Sequence, residues 1–232
     1  RRYGAEGPVP FTVKTNSARG ALYKRDVSRE YLMDENIAYF LGWYVAEGSS
    51  HHNAVTLDMG KNDVEYIPKL RSILLNYFDR KVSLKEVGGA RRLSVSHAGL
   101  ANLLREWCGE GELHKKVPAV MFDCEKPVVW AFMAGYIYGD GHLQKRGSFI
   151  ASTVSRQLAV LLQLLAAKLG QFVRVGRHNM NPHGIIQGRI IRRQSVRYVI
   201  GFPRSFTDAL LRQDFIKRWK RLYGTDERLE QR

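Results

Sequence analysis

The sequence predicts an α+β fold of two pseudo-symmetric halves, each ordered αββαββα. One helix from each half lies at their interface, and two antiparallel sheets form a concave saddle. Three observations predict this. A segment recurs at a constant spacing, the stretches behind each copy alternate apolar and polar residues, and helical stretches separate those strands in the same order twice.

The repeat is the strongest of the three. Ala38 to Gly48 reads AYFLGWYVAEG, and Ala131 to Gly141 reads AFMAGYIYGDG. The same 93 positions separate Ala38 from Ala131, Gly42 from Gly135, Glu47 from Asp140 and Gly48 from Gly141. Small residues recur every four positions (Ala38, Gly42 and Ala46, then Ala131, Gly135 and Gly139), which on a helix forms one ridge. A ridge of small side chains lets two helix backbones approach closely. Interior glycine costs about 1 kcal/mol relative to alanine, and two glycines at matching positions therefore point to a pair of helices packed on each other. Ala38, Gly42, Ala131 and Gly135 are the expected interface, and Gly48 and Gly141 the expected helix stops.

The remaining elements follow in order. Residues 1–33, polar and with Pro8 and Pro10, read as an irregular arm. The first half, 34–108, starts with a helix at about 35–47. A strand at Ala54 to Asp58 comes next, then a helix from Asp63 to Phe78, strands at Val82 to Glu86 and Arg92 to Ser96, and a helix from Ala98 to Cys108. Lys81, Ser83 and Lys85 alternate with Val82 and Leu84, and Arg92, Ser94 and Ser96 with Leu93 and Val95, giving one apolar and one polar, basic face. Residues 109–127, with Pro118 and Pro127, read as a linker. The second half, 128–223, repeats the order. Its helix spans 128–140, a strand covers Ser148 to Thr153, and a helix capped by Ser155 ends near Gly170. Strands follow at Phe172 to Arg177, Ile185 to Arg192 and Val196 to Phe202, with helices near 204–212 and 215–223. Residues 224–232 read as a tail.

Composition bounds the function. The 232 residues are 44% hydrophobic, enough for a packed core, and carry a net charge of +15. The isoelectric point is near 10.0. Such an excess favours a polyanion, because each Lys or Arg that neutralises a phosphate releases counterions. Cys108 and Cys124, the two cysteines, have no zinc-ligand spacing and suggest a reducing, intracellular setting. No apolar run approaches the roughly 20 residues of a membrane helix, so a soluble protein with no membrane partner is expected. Basic strands can enter a major groove and read base edges. The candidate readers are Lys81, Lys85, Arg92, Gln144, Arg146, Arg174, Arg189, Arg192, Arg193 and Arg197.

The acids carry the chemistry. Glu47 and Asp140 end their helices, where the macrodipole disfavours a carboxylate by about 0.3–1 kcal/mol. Paired helices would also bring the two like charges together. A divalent cation relieves both problems, and hard oxygen donors argue for Mg²⁺ rather than zinc.

With these residues in hand, Phe40 to Gly48 and Met133 to Gly141 resemble the two LAGLIDADG motifs of monomeric homing endonucleases, including intein-borne ones. The resemblance covers nearly all of the chain after about residue 35. It implies a monomer that cuts both strands of double-stranded DNA across the minor groove. The divalent metals would be bound by Glu47 and Asp140, assisted by the carbonyls of Ala46 and Gly139. The segment His114-Lys115-Lys116-Val117-Pro118 resembles the Lys-x-Ile/Val-Pro link of two-motif enzymes, which gives Lys115 a place near the scissile phosphates. Lys217, in Phe215-Ile216-Lys217-Arg218, is its expected counterpart in the second half. Glu47 stands where Asp is commoner in the family. Asp58-Met59-Gly60-Lys61 lacks the Gln often found there, and Thr153 and Arg156 occupy the comparable stretch of the second half.

The expected reaction is metal-dependent hydrolysis of DNA phosphodiesters, with Glu47, Asp140, Lys115 and Lys217 as catalytic residues. The alternatives on the same fold are a non-cleaving DNA-binding protein and a maturase acting on intron RNA. Self-splicing is not expected, since Arg1 is no splicing nucleophile and Arg232 closes no His-Asn end.

Overall fold

A computed structural model of the chain describes residues 9–16, 26–145, 147–180, 183–186, 189–192 and 196–213. An antiparallel hairpin of β1 (Val9–Asn16) and β2 (Asp26–Met33) comes first. The first half is α1 (Glu35–Glu47), β3 (Gly48–His51), β4 (Ala54–Met59), α2 (Ile67–Phe78), β5 (Val82–Val87), β6 (Ala90–Ser96) and α3 (Ala98–Cys108). The second is α4 (Lys126–Asp140), β7 (His142–Leu143), β8 (Phe149–Thr153), α5 (Arg156–Lys168), β9 (Arg174–Asn179), β10 (His183–Ile186), β11 (Arg189–Arg192), β12 (Val196–Phe202) and α6 (Arg204–Gln213). Each half holds a four-stranded antiparallel sheet, ordered β3-β4-β6-β5 in the first and β7-β8-β12-β9 in the second. The predicted α+β architecture with motif helices at the interface is the observed one.

Four expectations are corrected. Residues 9–16 and 26–33 are a hairpin rather than part of an irregular arm. Val9, Phe11 and Val13 alternate with Pro10, Thr12 and Lys14, and Phe11, Val13 and Met33 are buried. The Phe11 ring stacks on Tyr31 and tilts against Trp107 of α3, so the hairpin closes the core of the first half. Pro10 is tolerated because β1 is an edge strand of a two-stranded ribbon.

The helix expected over 63–78 opens as a 3₁₀ turn at Lys61–Tyr66, and the α-helix starts only at Ile67. Pro68 explains this, since it fits in a first turn but not in a helix interior. The strand expected over 185–192 is two strands, β10 and β11, paired as a separate hairpin. The second half therefore carries a ribbon where the first has a tight turn at Gly88 and Gly89, both with positive φ. The strand expected from Phe172 begins at Arg174, leaving Phe172 89% exposed.

The linker is not loose. Val117, Met121 and Cys124 are buried, a 3₁₀ turn covers Ala119–Phe122, and α4 begins at Lys126 with Pro127 in its first turn. The helix expected over 215–223 and the tail from 224 lie outside the described residues. No helix among the described residues is long and apolar enough to cross a membrane.

Candidate active site between two helix ends

The centre of the molecule is the packing of α1 on α4, the most extensive contact between any two elements. Both helices are apolar on nearly every face, and residues 37–45 and 129–137 are all buried. The glycines decide how closely they approach. A Cβ on Gly42 would lie 2.1 Å from the Phe132 carbonyl oxygen, and one on Gly135 would lie 2.1 Å from the Tyr39 carbonyl oxygen. No side chain fits at either position, so the two backbones are in direct contact there. Ala38 and Ala131 complete the ridge and are fully buried. Further along, a Cβ on Gly139 would meet Ala46 Cβ at 2.5 Å and Glu47 Cγ at 3.5 Å, which shows the Glu47 side chain lying across Gly139.

Gly48 and Gly141 stop the helices, but not by a left-handed turn. Their φ angles are −87° and −84°, and their N–H groups bond to the carbonyls of Tyr44 and Ile137. What excludes a side chain is proximity: a Cβ would stand 2.5 Å from the Tyr44 oxygen and 2.4 Å from that of Ile137. The chain turns straight from helix into strand, leaving each acid at the joint.

Glu47 and Asp140 are the last residues of α1 and α4. Burial first, and then the charge of Asp140, push the Glu47 carboxyl up to about 7; Lys115 opposes this. Burial likewise raises Asp140 to about 6, against the pull of Lys115 and the nearby Tyr136 hydroxyl. Asp58 and Asp63 raise Glu47 a little further. These are carboxylates whose ionised form lacks enough positive charge around it.

Lys115 supplies part of that charge. It is half-buried, and burial lowers its pKa while Asp140 and Glu47 raise it. Its Nζ donates to the Ala46 carbonyl at 2.9 Å and to the Tyr44 carbonyl at 3.4 Å, closing the C-terminus of α1. The Lys115 carbonyl in turn accepts a 2.6 Å hydrogen bond from the hydroxyl of Ser155, whose oxygen also accepts from the Leu158 N–H as the N-cap of α5. Sequence reasoning found Ser155 only as a cap, and nothing local announces its bond to a residue 40 positions away. Ala46, Lys115 and Asp140 line one cavity of about 210 Å³ with Glu112, Ser152, Thr153 and Arg197. Arg197, expected only as a base reader, thus stands beside the acids, and Glu112 was not expected at all.

The other expected readers are dispersed. Lys85 pairs with Arg92 across β5 and β6, on the face that carries Ser83, Ser94 and Thr56. Lys81 and Lys85 are exposed. Arg92 is engaged by both carboxylate oxygens of Asp58, at 2.6 and 2.9 Å, which ties β6 to β4. Arg174 and Arg197 are exposed on one face of the second sheet with Ser152 and His178. Gln144 is exposed in the turn after β7, where its side-chain oxygen accepts from Ser148. Arg189 and Arg192 lie in β11, but their side chains fall outside the description. Arg146, Arg193 and Lys217 lie outside the described residues.

Among the described residues no three His, Cys, Asp or Glu side chains cluster as a ready-made metal cage. The donor chemistry at the helix ends still fits a hard divalent ion. It offers two carboxylates short of positive charge and the carbonyls of Ala46 and Gly139 beside them, with open cavity for the waters that Mg²⁺ keeps.

Residues 127–199 match the family model of the LAGLIDADG-like domain. The fold is that of the homing endonuclease I-DmoI. A structure of its mesophilic variants aligns with a TM-score of 0.53 at 14% identity, covering 77% of this chain and 94% of that one. I-DmoI in complex with DNA and Ca aligns at 0.54 and 13% identity, over 77% and 87% of the two chains. The N-terminal LAGLIDADG domain of DUF199/WhiA shares the fold at 0.50 and 10% identity, over 84% and 86%. In sequence, the chain is 32% identical over 151 residues to the ATP-dependent DNA helicase Hel308 of Thermococcus kodakarensis, covering 61% of this chain and 13% of the helicase. It is 28% identical over 145 residues to a DNA polymerase of Thermococcus aggregans, covering 60% of this chain and 8% of the polymerase. The chain therefore spans only a small part of these relatives.

Proposed function

We propose that this LAGLIDADG-fold chain is a site-specific double-strand DNA endonuclease that works as a monomer with divalent metal ions, Mg²⁺ in the first instance. The observation that carries the reading is the meeting of Glu47 and Asp140 at two helix ends whose backbones touch, with Lys115 half-buried beside them. No packing or capping need places two acids there, and burial makes both costly to ionise.

The residues divide the work. Glu47 and Asp140, with the carbonyls of Ala46 and Gly139, would hold the metal. When bound, a divalent ion supplies positive charge at the scissile phosphate and lowers the pKa of water. Lys115, held by Ser155, presents an ammonium group that stabilises negative charge developing on the phosphate. Arg197 adds a second cation to the same cavity. Lys217 is the proposed counterpart of Lys115 at the second strand's site. The exposed Lys81, Lys85, Arg174 and Arg197 would line the duplex, and Gln144, Arg146, Arg189, Arg192 and Arg193 extend that set. The net charge of +15 supports a phosphate-dominated interface. The structure of I-DmoI with DNA and Ca supports both partner and metal class. The matched segment is a small part of proteins as different as a helicase and a polymerase, which supports a module carried inside unrelated hosts, as homing implies.

The test is cleavage of a randomised duplex library with Mg²⁺, against EDTA and the Asp140→Asn variant. Defined double-strand cuts that need both the metal and Asp140 support the reading. Tight binding with no cutting under any divalent ion would reject it in favour of a non-cleaving DNA-binding protein, and preferential binding of structured intron RNA would favour a maturase.

A further inference from the structure

Away from the helix ends, four cations from three segments converge on one cleft. Arg29 reaches it from β2, Arg71 from α2, and Arg80 and Lys81 from the turn into β5. The cleft measures about 640 Å³, and Leu75 and Val82 contribute apolar lining. The convergence follows from alternation. Tyr31 and Met33 of β2 pack inward, and two residues earlier the same side of the strand carries Arg29 past the edge of the core to the end of α2.

A helix C-terminus attracts cations, and that accounts for Arg80, just past the end of α2. It does not account for Arg29, brought from another element, nor for four cations facing a single carboxylate, Asp79. Among the described residues none of the four is in an ion pair, although Arg91, Arg92 and Arg204 all are. Like charges gathered in a cleft repel one another, and an anionic partner relieves that. The chemistry of the lining selects the partner. Among the described lining residues there is no aromatic ring on which a base could stack and no helix N-terminus to hold a nucleotide phosphate. The cleft is continuous with the basic face of the first sheet, since Lys81 precedes β5 and alternates onto the side of Ser83 and Lys85.

We propose that this cleft, between the N-terminal hairpin and the turn from α2 to β5, grips the phosphate backbone of duplex DNA flanking the first half's end of the target site. The proposal rests on the DNA reading above and extends the bound length beyond the two sheets.

The experiment measures the salt dependence of binding for two duplexes. One carries flanking DNA on the side bound by the first half, and the other is trimmed back to the core site. The proteins are the full chain, the double variant Arg29→Gln/Arg71→Gln, and Arg29→Lys/Arg71→Lys, each checked for an unchanged melting profile. Loss of two phosphate contacts makes the slope of log K against log salt shallower by about 1.8. The expected result is that loss for the glutamine variant on the flanked duplex only, with the lysine variant restoring most of it. Lys126→Gln, which removes a charge outside the cleft and both sheets, should leave the slope unchanged. A glutamine variant with the parent's slope on flanked DNA overturns the cleft while leaving the endonuclease reading intact, and so does an equal change from Lys126→Gln. If the parent chain shows no salt-dependent binding to either duplex, the DNA reading falls and the cleft proposal with it.

Discussion

The two helix-end acids sit where burial makes their ionised forms costly. Their pKa values lie above the ordinary carboxylate range, Glu47 at about 7 and Asp140 at about 6. Between that range and about 7 the folded protein keeps protons that the unfolded chain releases. Metal-free stability is therefore full at low pH and falls as pH rises through about 7. Thermal melting in EDTA should show this decline, and Mg²⁺ should raise the melting temperature more above pH 7 than below it. A melting temperature that rises with pH over that window would refute the electrostatic picture. Asp140→Asn and Glu47→Gln should each melt higher than the parent at neutral pH without metal and still bind DNA, with cutting reduced by more than about 10²-fold. Ser155→Ala leaves the α5 N-terminus uncapped and releases the Lys115 carbonyl. Denaturant unfolding should register a loss of about 1–3 kcal/mol.

At the scale of elements, contact between the α1 and α4 backbones organises everything else. Gly42→Ala and Gly135→Ala each place a Cβ 2.1 Å from a carbonyl oxygen of the opposing helix. The helices must separate, at a cost of about 1–3 kcal/mol or more. For a chain of this size that is a drop of roughly 2–4 °C in melting temperature per kcal/mol. Cutting should fall further than stability alone explains, because separated helices also part the acids. Gly170→Ala, at a helix end with φ of +75° and open space around it, should cost only about 1 kcal/mol and leave cutting intact. The repeat made this interface legible: small residues every four positions, copied at one spacing, have few other physical readings. The hairpin was equally present in the alternation of Val9, Phe11 and Val13. Two prolines and a polar surrounding hid it, and its apolar face has meaning only against Trp107 and Phe78.

For the whole molecule, pseudo-symmetry is broken in ways that bear on function. The second half carries the β10–β11 ribbon where the first turns tightly at Gly88 and Gly89, and the first half carries the N-terminal hairpin. The two ends of a bound duplex would therefore meet different surfaces, and a target with unlike half-sites is expected. Replacing residues 180–195 with a two-glycine turn should shorten the protected footprint on one side only, as read by nuclease protection.

The α+β class, the order of the elements in the two halves, the motif helices and the acids that end them were legible in the sequence alone. Each rests on a local pattern: a period of four, a period of two, a repeat, a charge excess. Tertiary structure decided what local pattern cannot carry. It put Lys115 on the Ala46 carbonyl and Ser155 behind it, set Arg197 at the edge of the Asp140 cavity as well as on the sheet face, and paired Arg92 with Asp58. It also gathered Arg29, Arg71 and Arg80 into one cleft. The reason is common to all of these. Which charges become neighbours depends on how distant segments are brought together, and burial then sets how strongly each is felt.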